Sequence, residues 1–214
     1  MDKLFYHEYV RKNSWFPRSK YANPNNPKQD YNPDLALSLL AEAGWTKKPG
    51  DKLLSKDGKS FEIENFYISQ GWDRIFNPLV KDLEEIGIKI NLVVLQNTFE
   101  MLMDRKYQVQ YAGWTGSLLP SPKGAMHSQY AEKLDVTNVT GMANPEIDKL
   151  IEEYDSNWSM NERVEILQKI DKIAAEEYHW AFGWAAPYGY RCLNWDKFGM
   201  PEHGIGYSGN WLAP

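Results

Sequence analysis

The chain has 214 residues, a net charge of −5, and 43% hydrophobic and 25% charged residues. That length sustains one sizeable core, and the composition is that of an ordinary globular protein. The acidic balance and the lack of any Lys/Arg-rich cluster exclude a typical nucleic-acid partner, and no apolar run approaches the roughly 18–20 residues of a membrane-spanning helix.

Residues 1–31 are rich in Tyr, Asn, Pro and Lys without sustained periodicity. The run Asn23-Pro24-Asn25-Asn26-Pro27 predicts loop, because Asn and Pro favour turns. The segment is expected to be extended and to need another surface to pack on. Its start lacks the apolar stretch of a signal peptide, so the chain is expected to be either cytosolic or a mature piece of something longer.

A helix is predicted next, with Asn32 as N-cap, Pro33 at N1 and Asp34 in the first turn. Leu35, Ala36, Leu39, Leu40 and Ala43 supply its apolar face, and Gly44 stops it. Gly50-Asp51 and Asp57-Gly58 bracket residues 52–56 as a hairpin tip. Residues 60–69 alternate as a strand around Phe61, Ile63 and Phe66. Trp72, Ile75, Phe76, Leu79, Val80, Leu83 and Ile86 then form a helical stripe ended by Gly87.

Residues 88–95 read as a nearly continuous apolar strand, the pattern of a strand covered on both faces. Asn97 and Glu100 suggest the N-terminus of a short helix, and residues 107–114 a third strand. Strand–helix–strand–helix–strand implies a parallel sheet, with ligands meeting the carboxyl ends of its strands near Ser69-Gln70, Leu95-Gln96 and residues 114–117. Asn144-Pro145 opens a helix carrying Ile147, Leu150, Ile151 and Tyr154. Ser159 and Glu162 form a capping-box pattern ahead of Val164, Ile166, Leu167, Ile170 and Ile173. An aromatic strand is predicted over 180–190, then a turn at 195–199 and an irregular tail.

Catalytic chemistry finds little support. His7, His127, His179 and His203 show no metal-ligand spacing, and Cys192, the only cysteine, reads as a buried, inert thiol. Asp82, Glu84, Glu85, Glu152 and Glu153 fall on solvent-facing helix positions. No glycine-rich phosphate loop follows a strand, so no cofactor is expected. Ser117 and Ser121 near a strand end permit a small serine hydrolase, but the Gly-x-Ser-x-Gly turn is absent. A binding architecture remains. Gly113-Trp114-Thr115-Gly116-Ser117 leaves a strand end with main-chain donors and acceptors beside one indole wall. Nine Trp, 13 Tyr and 8 Phe add flat apolar surface of the kind that encloses ligands. Trp184 and Tyr188 are candidates for the same crevice.

Several phrases resemble the peptide-type, family 5 solute-binding proteins of ABC importers. They are residues 31–45 (YNPDLALSLLAEAGW), 83–90 (LEEIGIKI), 112–116 (AGWTG), 141–151 (GMANPEIDKLI) and 195–199 (WDKFG). Ser14-Trp15-Phe16 and the last phrase are similar to the branch with microcin- and oligopeptide-binding periplasmic components. The resemblance implies an α/β, periplasmic-binding-protein-like lobe with a mostly parallel sheet flanked by helices. It implies a carboxy-terminal ligand-binding lobe at 32–183, with 1–31 and 184–214 as segments running to a missing N-terminal lobe. The implied function is periplasmic capture of an oligopeptide-like solute between two lobes, without catalysis, for delivery to an ABC permease.

On the same resemblance, the implied ligand contacts are Gly113, Trp114, Thr115, Gly116 and Ser117; the strand-end rule adds Ser69 and Gln70, and the aromatic strand adds Trp184. Many family members carry an Asp where this sequence has Ser117, and that carboxylate pairs with the peptide α-amine. A neutral hydroxyl cannot replace an ion pair whose removal in a closed cleft costs roughly 2–5 kcal/mol. The charge then comes from elsewhere, or the ligand is a modified peptide, a saccharide or another solute.

Overall fold

Helical and strand periodicities resolve into separate elements in the computed structural model of the chain, which describes residues 2–117 and 119–186. In chain order these are α1 (Asp2–Phe5), β1 (Val10–Arg11), α2 (Pro33–Glu42), β2 (Ser55–Lys56), β3 (Lys59–Ser60), β4 (Glu62–Ser69), α3 (Asp73–Glu85) and β5 (Lys89–Leu95). They continue as α4 (Phe99–Met103), β6 (Val109–Gln110), α5 (Lys123–Met126), a 3-10 turn at Ser128–Tyr130, α6 (Pro145–Ser156), α7 (Met160–Glu176) and β7 (Trp184–Ala185). Tyr188, Gly189, Cys192, His203 and the 195–199 turn lie outside the described residues.

The described chain divides into two units, residues 2–10 with 184–186, and Arg11–Gly183. In the smaller unit the ring of Phe5 packs on Tyr9 at 4.9 Å and on Trp184 at 4.8 Å between centroids.

In the larger unit, β4 lies between β5 and β6 and pairs with both in parallel. Phe66 and Ile68 are buried on one face, where Phe66 meets Phe76 of α3 edge-on at 5.1 Å. Helix α3 buries Ile75 and Phe76 of the predicted stripe, while Asp82, Glu84 and Glu85 are exposed. It closes in a Schellman motif: Gly87 N donates to Glu84 O and Ile88 N to Leu83 O.

Gly87 has φ of +91°, and a Cβ there would lie 3.1 Å from the backbone nitrogen of Leu54. Both the left-handed conformation and the close strand demand glycine. Gly87→Ala is therefore expected to destabilise the fold by about 1–3 kcal/mol, measurable by urea denaturation.

Three local expectations need correction. Strand β5 is not covered on both faces: only Ile90 is buried along it and Val94 is 47% exposed, and among the described residues its one strand neighbour is β4. The hairpin turns at Asp57-Gly58, both at positive φ, which pairs β2 with β3; residues 52–54 precede it as loop. The Ser159–Glu162 capping box does not form. Asn157 intervenes, accepting from Ser159 N at 2.8 Å and donating to Glu162 Oε2 at 2.6 Å.

The predicted caps at Asn32 and Asn144 do form, with Asn32 Oδ1 accepting from Leu35 N and Asn144 Oδ1 from Glu146 N and Ile147 N. The apolar face of α2 finds little cover, however, with Leu35 and Leu39 each 54% exposed.

The main core sits among α6, α7 and residues 15–21. Ile147, Ile151, Ile166, Leu167 and Ile170 are fully or almost fully buried there, with Phe16, Tyr21, Met126 and Met142. The irregular stretch before α2 owes its shape to one residue. Asp171 of α7 is fully buried. It accepts from Ser14 Oγ (2.9 Å), Trp15 N (2.8 Å), Asn23 N (2.8 Å) and Asn26 Nδ2 (2.7 Å). A carboxylate satisfied by that many donors is stable in the interior, and it ties residues 14–26 to the helix.

Candidate functional site

The parallel sheet sets where a site can form. At the carboxyl ends of β4 and β6 a hollow of about 390 Å³ is lined by Ser69, Trp72, Asn97, Thr98, Phe99, Leu102, Gln110, Tyr111, Ala112 and Gly113. Its wall is aromatic, since the rings of Trp72 and Tyr111 lie 4.7 Å apart and Tyr111 also packs on Phe76. Its polar groups are neutral. Ser69 Oγ and Thr98 Oγ1 lie 3.2 Å apart, Asn97 Oδ1 accepts from Phe99 N, and Gln110 Nε2 donates to Thr98 O at 2.8 Å. The predicted N-cap at Asn97 is thus displaced by one residue: Thr98 is the cap position, and Asn97 closes the turn ahead of it.

The loop behind the hollow is held by Arg105, at positive φ just after α4. Its guanidinium donates to the carbonyls of Tyr130, Ala131, Lys133 and Asn138. Tyr107 then donates from its hydroxyl to Val139 O at 2.6 Å, and burial holds its phenol above the usual pKa range. These anchors fix the chain entering β6. Beyond it the ladder ends, with Tyr111 N donating to Tyr67 O as its last rung. Among the described residues, none pairs with the main chain of 112–117, and residues 113–117 are exposed.

The structure brings Ser69 and Gly113 together at the hollow. Trp114 sits on the run leaving it, 41% exposed, with its ring 5.8 Å from Trp15, which in turn packs on Trp180 at 4.6 Å. Thr115, Gly116 and Ser117 follow; Ser117 Oγ donates to Leu119 O at 2.8 Å. Gln70 is exposed and its N–H pairs with Leu95 O across the sheet. Trp184 belongs to the smaller unit, against Phe5. Sequence reasoning passed over Trp72 as a wall, and Thr98 and Gln110 altogether. Gln110 lies inside the predicted third strand at 107–114, but nothing in the local pattern marks it.

Among the described residues there is no group of His, Cys, Asp and Glu suited to a metal ion, and no helix long and apolar enough to cross a membrane. Asn138, which matches a glycosylation pattern, is fully buried, donating to His127 O and Met142 O.

Residues 1–134 match the family model for bacterial extracellular solute-binding proteins, family 5 (middle region). The chain belongs to family 5 of these solute-binding proteins. The oligopeptide-binding protein AppA of Bacillus subtilis is 26% identical over 189 residues, 85% of this chain and 33% of AppA. The solved structure of AppA with a nonapeptide superposes with a TM-score of 0.76 at 23% identity, covering 86% of this chain and 39% of that one. A periplasmic oligopeptide-binding protein of Thermotoga maritima, solved with mannohexaose, gives 0.73 at 18% identity, covering 86% and 38%.

The chain spans about a third of the length of the curated relatives it matches. Its fold is α/β and of the periplasmic-binding-protein type, and its relatives are solute-binding proteins rather than enzymes.

Proposed function

We propose that this chain is the ligand-binding lobe of a two-lobed, periplasmic family 5 protein that captures oligopeptide-like solutes and presents them to an ABC permease. The observation carrying this reading is the unpaired main chain of 112–117, exposed from 113 onward, which leaves the sheet beside the hollow with no partner among the described residues. Unpaired donors and acceptors in an extended run are a template for another extended chain, and main-chain pairing accepts many side-chain sequences. In this reading the contacts are Gly113, Trp114, Thr115, Gly116 and Ser117, with Ser69 at the hollow and Gln70 beside it. The expected link at 1–31 is cut back, because residues 11–31 belong to the larger unit and residues 14–26 are held there by Asp171. The links toward a second lobe are then residues 2–10 and the segment beginning at Trp184. Ser117, whose hydroxyl donates to Leu119 O, is neutral and supplies no counter-charge, so a ligand amine is neutralised elsewhere or the ligand is a modified peptide or another solute.

Saccharide capture is the second reading, favoured by the exposed indole of Trp114 and by the mannohexaose in the Thermotoga relative. Calorimetry of the intact protein with peptide mixtures and with mannohexaose separates the two. Peptide heat supports the first reading; heat from the sugar alone replaces it with the second. Half a cleft encloses a ligand from one side only. The 214 residues alone are therefore expected to bind the same peptides more weakly than about 1 µM, and tighter binding contradicts the lobe assignment.

A further inference from the structure

Resting on the reading of 112–117 as a main-chain rail, we infer that the adjoining hollow is a side-chain subsite selecting uncharged groups that both donate and accept hydrogen bonds. A peptide hydroxyl or carboxamide side chain has that chemistry. The inference starts from charge. Among the described residues lining the hollow there is no Asp, Glu, Lys, Arg or His. A charged side chain placed there would lose water against aromatic walls and meet no opposite charge.

The polar groups then specify what is wanted. Two hydroxyls 3.2 Å apart, on Ser69 and Thr98, hold two hydrogens and use one between them, which leaves one donor. Asn97 spends its oxygen on Phe99 N, so its amide N–H groups face outward as further donors. Gln110 is the complement. Its nitrogen is engaged by Thr98 O, while its Oε1 is buried without a hydrogen-bond partner among the described residues. A buried acceptor left unmatched is costly, and a ligand donor relieves it. Donors on the Ser69–Thr98 pair and Asn97, with an acceptor on Gln110, match an amide or a hydroxyl, and match neither an ammonium, a carboxylate nor an alkyl group. Gln110 and Asn97 are the residues assigned to that selection.

The test uses the intact protein and short polyalanine peptides that carry a single Gln, Ser, Glu, Lys or Leu at each position in turn, measured by calorimetry. At one position, Gln and Ser are expected to bind about tenfold tighter than Glu, Lys or Leu. Asn97→Asp keeps the oxygen that Phe99 N needs and adds a negative charge, so that position should come to prefer Lys. Gln110→Met should erase the advantage of Gln over Leu. An unchanged melting temperature shows that either variant is folded. Peptides that bind with the same affinity whatever the side chain, or an Asn97→Asp profile identical to the parent, overturn this inference and leave the rail reading standing. Failure of every peptide to bind overturns both.

Discussion

Asp171→Ala is expected to be among the most damaging single substitutions in the larger unit, costing about 3–5 kcal/mol. The substitution removes the acceptor shared by Ser14 Oγ, Trp15 N, Asn23 N and Asn26 Nδ2 and strands two buried and two part-buried donors. It also leaves a void beside Ile170 and Ala174, which are buried on the same helix. Asp171→Asn keeps the volume but presents an NH2 group to donors, so it should recover only part of the loss. Urea denaturation followed by tryptophan fluorescence reads the effect directly, because Trp15 is bound through its own N–H. A cost below about 1 kcal/mol for the alanine variant would mean that residues 14–26 are held by their apolar contacts alone.

The second large effect concerns ligand capture. Thr115→Pro removes one main-chain donor and stiffens the run, and among the described residues nothing in the protein uses that donor. Stability should therefore be nearly unchanged, whereas peptide affinity of the intact protein should fall about ten- to hundredfold. Thr115→Ala keeps the N–H and should bind within about threefold of the parent. Calorimetry on both variants separates recognition of main chain from recognition of the threonine side chain. A large loss with alanine, or none with proline, would contradict capture by the backbone.

Much of the fold is legible because local signals and burial agree. The 72–86 stripe, the Asn32 and Asn144 caps and the stop at Gly87 all act within one or two turns of the chain, so their outcome is written in adjacent residues. The expectations that failed depend on distant partners. An apolar strand announces burial, but whether other elements cover its two faces is settled by tertiary packing, and among the described residues β5 buries only Ile90. A capping box competes with any nearby amide, and Asn157 takes its place.

The polar anchors were not legible at all. Asp171 falls on the apolar stripe of α7, four residues after Leu167 and three before Ala174, but its partners lie about 145–157 residues earlier and no local signal names them. Arg105 is equally silent, because its contacts are backbone carbonyls that carry no residue code. At the site, the sheet rule located the strand ends and placed Ser69 and Gly113 beside one hollow. The roles of Thr98 and Gln110 come only from the hydrogen bonds that β4 and β6 make to the cap of α4.

Amide hydrogen exchange of the intact protein, with and without a bound peptide, tests most directly whether this lobe grips solute through its main chain. The N–H groups of Gly113, Trp114, Thr115, Gly116 and Ser117 should exchange rapidly when free and become protected on peptide addition. If peptide binds with measurable heat while those amides exchange at an unchanged rate, the strand-end rail is not the binding surface.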